Sequence, residues 1–318
     1  KYYSGATRGS VFLTARILNV LGTQKWAMSL LPSALKEKMK LGVEKVLNKS
    51  IDPSYIIGDT PMSWLQAQSA MGQSAFSLGD KKLEALARAL MDSILGELAR
   101  NPKSYGAPLD QWSNSDLVSL WGLQNLTSKV KPKDSPFYQM LVGPSRMVYM
   151  GNSASLKGRP SYGVFYSDET IETALLLMRH SQMQGSADLA RSLAHGLVNS
   201  SVKAWYNSST MVAVATALQA FSRSYEVEAV TGISSVTVPE ENVSVTADWS
   251  RSSSLVEVES SSPWVGDIAT VRLNHSGQGH PWFGIQTFSA VPLTEPVGQG
   301  LSITKTIRNL TSDSGFKP

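Results

Sequence analysis

Apolar residues recur at the 3.6-residue period of an amphipathic α-helix up to about Tyr225. Four stripes share this spacing: Trp64, Ala67, Met71, Ala75 and Leu78; Leu83, Leu86, Ala87, Leu90 and Ile94; Ile171, Ala174, Leu175 and Met178; and Met211, Val214, Ala217, Leu218 and Phe221. Each stripe predicts a helix that buries one face against its neighbours.

The predicted helices come in pairs. Residues 64–78 and 81–99 are separated by Gly79-Asp80, and residues 167–184 and 186–199 are separated by Gly185, so each set predicts a helical hairpin. Helix-entry residues recur along the chain at Thr60, Ser113, Ser167 and Asn207. This repetition of a helix-pair unit predicts either a solenoid or a closed ring of hairpins.

Beyond Val230 the hydrophobic period changes to two, which is typical of half-buried strands. The alternating positions are Val236 and Val238; Val243, Val245 and Ala247; Val256 and Val258; Ala269, Val271 and Leu273; Phe283 and Ile285; and Leu301 and Ile303. Six or seven short strands predict an antiparallel β-sandwich. We therefore expect an α plus β chain with a helical domain at residues 1–230 and a β-domain at 231–318. Residues 127–166, rich in Pro, Gly, Lys and Ser, predict a long loop or insertion.

Composition narrows the possible chemistry. The chain has 318 residues, is 42% hydrophobic and contains no cysteine, which excludes disulfides, thiolate metal sites and a cysteine nucleophile. Its apolar runs are far shorter than the ~20 residues of a membrane span. Residues 1–226 hold 24 Lys/Arg against 16 Asp/Glu, whereas residues 227–318 hold 5 against 9. This difference favours two modules. No secretory signal opens the chain, so we expect its numbering to begin inside a longer precursor.

No set of residues predicts a catalytic, cofactor or metal site. His275 and His280 flank a Gly-x-Gly at 277–279, which we interpret as a turn between strands because a phosphate cradle needs a helix behind it. His180 and His195 each end or interrupt a helical stripe, and we attribute both to packing in the core or at the surface.

The charged clusters also have a structural interpretation. Asp168, Glu169 and Glu172 form the densest acidic cluster of the helical part, and we attribute them to helix capping and a solvated face. The first fifty residues hold nine Lys/Arg, but Lys36 and Lys38 fall on different helix faces, as in a solvated helix. We therefore expect no nucleic-acid binding.

Two strings resemble the C-terminal part of bacterial α2-macroglobulin-like proteins, periplasmic relatives of the animal protease traps. The first runs from Trp205 through Asn207 to Thr210 and continues into the helix ending near Phe221. The second runs from Leu273 through the Gly-x-Gly to Phe283, followed by Pro292 and the segment 300–303. The resemblance implies an α/α-toroid of helix hairpins, the thioester-type domain, followed by a β-sandwich of the family's macroglobulin-like region.

The resemblance implies a non-catalytic structural part of a periplasmic protease inhibitor or trap. The family's reactive thioester joins a Cys to a Gln, so this Cys-free chain cannot form it and we expect no covalent adducts. The implied partners are proteases, bound through the full-length protein, other domains of the same protein, and cell-envelope proteins. The implied location is the bacterial periplasm or cell envelope, with anchoring to the membrane, as in a lipoprotein, through a segment upstream of Lys1.

Two alternatives from other functional classes remain open. The first is an α/α-toroid enzyme of the terpenoid-cyclase or glycoside-active type, although no Asp-Asp-x-x-Asp or Asp-x-Asp-Asp motif occurs. The second is a helical-repeat adaptor with a carbohydrate-binding sandwich. Exposed, coplanar Trp249, Trp264 and Trp282 would favour the adaptor.

Overall fold

The structure is a computed structural model that describes residues 10–23, 25–56, 59–128, 130–157, 168–203, 208–239, 243–250 and 270–284. The chain divides into two compact units, Lys1–Ala229 and Val230–Pro318. Among the described residues the first unit is mainly helical and the second holds strands, so the class is α plus β.

The first unit holds ten helices and one hairpin of strands in its described part. The helices are α1 (Val11–Thr23), α2 (Lys25–Leu30), α3 (Ser33–Leu47), α4 (Pro61–Leu78), α5 (Lys81–Arg100), α6 (Asn114–Ser128), α7 (Pro136–Val142), α8 (Glu169–Gln182), α9 (Ala187–Lys203) and α10 (Ser208–Tyr225). The strands β1 (Met147–Met150) and β2 (Ser153–Leu156) lie between α7 and α8 and pair antiparallel.

The first predicted helical hairpin is confirmed, and its turn follows from local chemistry. Thr60 caps α4 by accepting a hydrogen bond from the Ser63 amide at 3.1 Å. Gly79 ends α4 with a φ of 65°, a left-handed conformation that glycine adopts without strain. Asp80 then caps α5 by accepting from the Leu83 amide at 3.3 Å. Each helix end therefore has a partner for its exposed backbone groups.

The second predicted hairpin is also present, as α8 and α9. The cap of α8 is Asp168, which accepts a hydrogen bond from the Ile171 amide at 2.7 Å. Ser167 and Asn207, two predicted entry residues, lie outside the described residues. Ser113 does cap α6, because its hydroxyl accepts from the Asp116 amide at 3.2 Å while Asp116 accepts from the Ser113 hydroxyl and amide.

The helices form two layers. In the first, α1, α4, α6, α8 and α10 contact one another in chain order; in the second, α3, α5, α7 and α9 pack against the helices they follow or precede. Helices α4, α6, α8 and α10 run parallel, because residue numbers rise together on both partners of each contact. The pairs are Ser69 with Ser119 and Gln73 with Gly122 between α4 and α6, Asn114 with Glu172 and Gly122 with Arg179 between α6 and α8, and Asp168 with Thr210 and Ser181 with Ser224 between α8 and α10. We call the first layer the inner layer.

Helix α4 is buried on its polar side as well as on its apolar side. Its apolar stripe is buried as expected, with Ala67 and Met71 in the core, but its polar residues are buried as well. They are Gln66, Gln68, Ser69, Gln73 and Ser74. The polar residues are buried because α4 has neighbours on several sides, namely α1, α3, α5 and α6.

The prediction of an irregular stretch at residues 127–166 was partly wrong. Helix α7 and the β1–β2 hairpin both form within it, and Phe137, Leu141 and Leu156 are fully buried. Segments this short give little periodicity in the sequence, so their burial supplied no visible signal. Residues 158–167 lie outside the described part.

The second unit holds three described strands, β3 (Ile233–Val238), β4 (Val243–Asp248) and β5 (Arg272–Ser276). They form an antiparallel sheet in the order β4-β3-β5, in which Val236 pairs with Val245 on one side and with Leu273 on the other. Phe283, predicted within a strand, lies in a segment without regular structure. The predicted strands at Val256 and Leu301 lie outside the described residues.

Candidate functional site

A line of polar residues follows the contact between inner helices α4, α6 and α8. Gln66, Ser69 and Gln73 recur on α4 at intervals of three and four residues, so they share one face and that face meets α6. Ser119 on α6 and Arg179 on α8 continue the line. We call these five residues the polar seam. Sequence reasoning missed the seam, although the polar stripe on α4 was a usable signal.

Hydrogen bonds connect the seam from helix to helix. The hydroxyls of Ser69 and Ser119 lie 3.0 Å apart, and Gln73 Nε2 donates to the Ser119 carbonyl at 2.8 Å and to its hydroxyl at 3.0 Å. Gln73 Oε1 in turn accepts from Arg179 Nη2. Because the Gln73 amide donates toward α6 and accepts from α8, it links the three helices.

Gly122 on α6 allows Arg179 to reach across that helix. A Cβ at this position would lie 2.9 Å from Gln73 Oε1 and 3.0 Å from Arg179 Nε, so only glycine leaves room for both side chains without a shift. The second terminal nitrogen of the guanidinium, Nη1, donates to Gln182 Oε1 at 3.0 Å. Two neutral amide oxygens therefore hold the guanidinium in place.

The seam lies on the side of α6 that faces away from the outer layer. Outer elements contact the opposite side of α6: Tyr138 of α7 packs on Trp121 with ring centroids 4.7 Å apart, and Arg88 of α5 donates to the Thr127 carbonyl. Gly122 is displaced from Trp121 by about 100° and from Thr127 by about 140° around a helix of 3.6 residues per turn. We call this side the inner face. Ser119 on it is half-buried.

Arg179 brings a positive charge to the inner face. Burial lowers the pKa of its guanidinium to about 10, so the side chain is still cationic at neutral pH. No Asp or Glu forms an ion pair with Arg179 among the described residues. Every Asp and Glu of the helical unit belongs to that described part, because the segments outside it contain neither residue type. The unit itself therefore supplies no counterion.

A second polar cluster surrounds the side chain of Arg146. Arg146 Nη1 donates to Asn114 Oδ1 at 2.8 Å and Nη2 donates to the Asp110 carbonyl at 2.9 Å. Asn114 Nδ2 donates to Glu172 Oε2 at 3.0 Å and to the Lys157 carbonyl at 2.9 Å. Arg146 is fully buried and Glu172 is 2% exposed. These bonds fix the start of α6 against α8, which is a structural task.

The acidic residues at the start of α8 therefore have different roles. Asp168 is a cap, as predicted, and also accepts from the Thr210 hydroxyl at 3.2 Å. Glu169 is exposed. Glu172 was wrongly attributed to a solvated face: it lies in the Arg146 cluster, because its position one turn into the helix faces α6 and Asn114.

Nearby, Asp116 is also buried, and this burial raises the pKa of its carboxyl group against the lowering effect of hydrogen bonds from Ser113 and Gln66.

His180 packs between α7 and the α8–α9 turn, as the sequence predicted. Its Nε2 lies 2.9 Å from the Ser186 carbonyl, which can only accept, so Nε2 carries the proton and Nδ1 accepts from the Tyr138 hydroxyl at 3.3 Å. Burial lowers the pKa of His180 and therefore favours its neutral form. Burial also raises the pKa of Tyr138 to about 12. Gly185 leaves the space that the imidazole ring fills.

The Gly-x-Gly of the second unit packs against its own sheet. Thr231 donates its amide to the Gln278 carbonyl at 3.1 Å, and a Cβ at Gly277 would overlap the Thr231 carbonyl oxygen. His275 Nδ1 lies 2.9 Å from the Ser234 hydroxyl. Close backbone packing thus accounts for Gly277, and no helix follows the motif within residues 280–284.

The structure describes two of the three tryptophans proposed for a carbohydrate-binding face. Trp249 Nε1 donates to the Ser234 hydroxyl at 2.8 Å, Trp282 is 38% exposed, and Trp264 lies outside the described residues.

Ion pairs connect α3, in the basic N-terminal region, to the start of α5. Lys40 of α3 lies 2.9 Å from Glu37 and 3.4 Å from Asp80, and Lys82 of α5 lies 2.6 Å from Glu44. Lys38 is exposed and Lys36 is half-buried, so the prediction of a solvated helix is met at Lys38 and only in part at Lys36.

A cavity of about 420 Å³ lies in the outer layer, between α4, α5 and the end of α3. Leu47, Leu86 and Leu90 form its apolar walls. Burial, together with Glu97, raises the pKa of Tyr105 on its rim to about 12. Gln68 donates to the Leu47 carbonyl at 2.9 Å beside the cavity, so its polar lining also holds α3 against α4.

Within the described residues no group of three His, Asp or Glu side chains could hold a metal ion, and no helix is long and apolar enough to cross a membrane. No protein-family model matches the chain, and no curated protein matches it either. The family resemblance drawn from the sequence therefore stays a prediction.

Proposed function

We propose that this chain is a non-catalytic structural part of a periplasmic α2-macroglobulin-like protease inhibitor or trap. Its helical unit would be the family's α/α-toroid, without a thioester, and the unit beginning at Val230 would belong to its β-sandwich region. Its task in this proposal is to present a rigid block to the rest of the protein, which encloses a protease.

The parallel inner layer is the observation that carries the proposal. Helices α4, α6, α8 and α10 run in the same direction, and the intervening elements α5, α7 with the β1–β2 hairpin, and α9 return the chain on the outer side. A toroid of helix hairpins requires this alternation. A simple up-and-down bundle would instead place sequential neighbours antiparallel throughout.

The buried polar groups also favour a structural role. Arg146, Asn114 and Glu172 bond one another and the backbone, and Ser113 and Asp116 form a reciprocal cap. Groups used in this way fix the positions of helix ends and are not directed at a substrate. This use of the buried carboxylates favours the scaffold over the enzyme alternative.

A size-selective protease assay tests the proposal. The full-length protein that contains this chain, purified from cell envelopes, is incubated with an endopeptidase and assayed on a large protein substrate and on a small chromogenic peptide. We expect cleavage of the large substrate to fall while cleavage of the small peptide persists, because a caged protease still admits small molecules. The 318-residue chain in molar excess should affect neither substrate.

Two results would contradict the proposal. One is equal loss of cleavage of both substrates, which indicates inhibition at the protease active site. The other is potent inhibition by the 318-residue chain alone, which indicates a self-contained inhibitory loop and directs attention to residues 129–166.

A further inference from the structure

Arg179 combines three properties that a purely structural arginine does not need. It is cationic, it has no carboxylate partner within the helical unit, and its side chain is only half-buried on the inner face. Buried or partly buried arginines normally pair with a carboxylate, since an uncompensated charge near low-dielectric surroundings is costly. Arg179 is thus a cationic group without a counterion from its own unit, and Gln73 and Gln182 hold it in a defined orientation.

The geometry leaves part of the guanidinium available. A guanidinium has five N–H donors in a planar fork. One hydrogen bond from Nη1 to Gln182 and one from Nη2 to Gln73 are formed, and Nε donates to no acceptor in the described part of the chain. A Cβ at Gly122 would lie 3.0 Å from Nε, so this glycine gives the guanidinium room to lie across α6. One edge of the fork, formed by Nε and a terminal nitrogen, therefore has remaining donors.

The surrounding groups select the kind of ligand. The seam supplies one positive charge and neutral hydroxyls and amides, and the Ser69–Ser119 hydroxyl pair lies next to Gln73. A carboxylate carries one negative charge and presents two oxygens at the spacing of the guanidinium fork. A phosphate dianion would be left with an unneutralised charge at this site.

We propose that Arg179 on the inner face of the helical unit binds a carboxylate group through the guanidinium edge above Gly122. The carboxylate comes either from a small free acid or from an acidic side chain of a peptide. Gln73 and Gln182 orient the guanidinium, and Gly122 gives it room to lie across α6. This inference rests on the described contacts alone and does not depend on the proposed protease-trap function.

The test follows the arginine side-chain resonances of the ¹⁵N-labelled 318-residue chain by NMR. Sodium acetate, the peptide acetyl-Gly-Glu-Gly-amide and inorganic phosphate are titrated separately against sodium chloride at constant ionic strength. We expect one Nε–H resonance, assigned to Arg179 by its absence in Arg179→Gln, to shift on addition of acetate or peptide. One charge-assisted pair corresponds to a dissociation constant on the order of 10 mM.

Variants separate this site from general anion effects. Arg191→Gln removes a half-exposed arginine of α9 that pairs with Asp188, and it should leave the titration unchanged. Arg179→Lys keeps the charge but removes the fork, and should weaken carboxylate binding at least tenfold. Gly122→Ala should do the same while retaining Arg179, which protects the test if Arg179→Gln fails to fold.

The outcomes are distinct. Tighter binding of the peptide than of acetate assigns the carboxylate to a protein partner, and equal binding assigns it to a free acid; both support the site. An unmoved Arg179 resonance in acetate and in peptide overturns the proposal. A shift with phosphate but not with acetate or peptide overturns the assignment to carboxylates.

Discussion

Replacing Gly122 with alanine tests whether the inner helices meet as closely as the polar seam requires. The new methyl group would lie 2.9 Å from Gln73 Oε1 and 3.0 Å from Arg179 Nε, closer than the normal separation of a carbon from these atoms. Either the Gln73–Arg179 hydrogen bond opens or α8 moves away from α4. Both responses weaken the connection among the three helices.

The expected size follows from two opposing effects. Alanine is favoured over glycine inside a helix by about 1 kcal/mol, whereas inserting a methyl group into a well-packed contact costs about 1–3 kcal/mol. Gly96, inside α5, isolates the first effect, because a Cβ there meets nothing within 4 Å. Gly96→Ala should therefore stabilise the chain, and Gly122→Ala should be less stable than Gly96→Ala by about 1–3 kcal/mol.

Urea unfolding followed by far-ultraviolet circular dichroism measures the difference, because the signal is dominated by the helical unit. The wild-type chain and both variants are compared at the same pH and salt concentration. If Gly122→Ala were stabilised as much as Gly96→Ala, the close approach of Gln73 and Arg179 over α6 would be refuted. The carboxylate site built on that approach would then lose its geometric basis.

Three further perturbations test other parts of the helical unit. Gly196→Ala should destabilise the chain by about 3 kcal/mol or more in urea unfolding, because the new Cβ would overlap the backbone carbonyl of Ala154, which cannot rotate away. A free energy of unfolding close to that of the wild type would contradict the contact between α9 and β2. Glu172→Ala should cost about 1–3 kcal/mol by the same measurement, since it removes one of the two acceptors of the buried Asn114 amide and leaves only the Lys157 carbonyl. A loss below about 0.5 kcal/mol, as at a surface position, would refute the buried cluster. Burial lowers the pKa of His180, so the unfolded state binds this proton more readily than the folded state does. The free energy of unfolding should therefore be full above about pH 6.5 and fall as the pH drops below that value. His180→Gln should reduce this pH dependence, and an unchanged dependence would contradict the neutral buried imidazole.

The sequence predicted those features that depend on local chemistry. The α4–α5 hairpin could be placed because Thr60, Gly79 and Asp80 each act on backbone groups within three residues. The change from helical to strand period likewise predicted β3 and β4, whose alternating residues are close in the chain. Neither prediction needed information about distant contacts.

The site depends on distant contacts and could not be predicted in the same way. Gln73 and Arg179 are more than one hundred residues apart, and only the parallel arrangement of α4, α6 and α8 brings them together. In the sequence, Gln66 and Gln73 have the spacing of a solvated helix face, which differs from a buried polar face only in its neighbours. Glu172 was misjudged for the same reason: nothing near it in the sequence indicates that Asn114 will be its partner.

The packing of α4 on α6 at Ser69 and Ser119 is the central claim, because both the toroid proposal and the carboxylate site depend on it. The chain contains no cysteine, so Ser69→Cys with Ser119→Cys introduces the only two thiols, at positions whose side-chain oxygens lie 3.0 Å apart. Ser69→Cys with Ser128→Cys is the control, since Ser128 lies nine residues further along α6, about 13 Å along the helix axis. After mild oxidation, we predict an intramolecular disulfide in the first pair, detected by peptide mass mapping, and free thiols in the control. Free, alkylatable thiols in the first pair, or equal cross-linking of the two pairs, would contradict this packing of the inner helices.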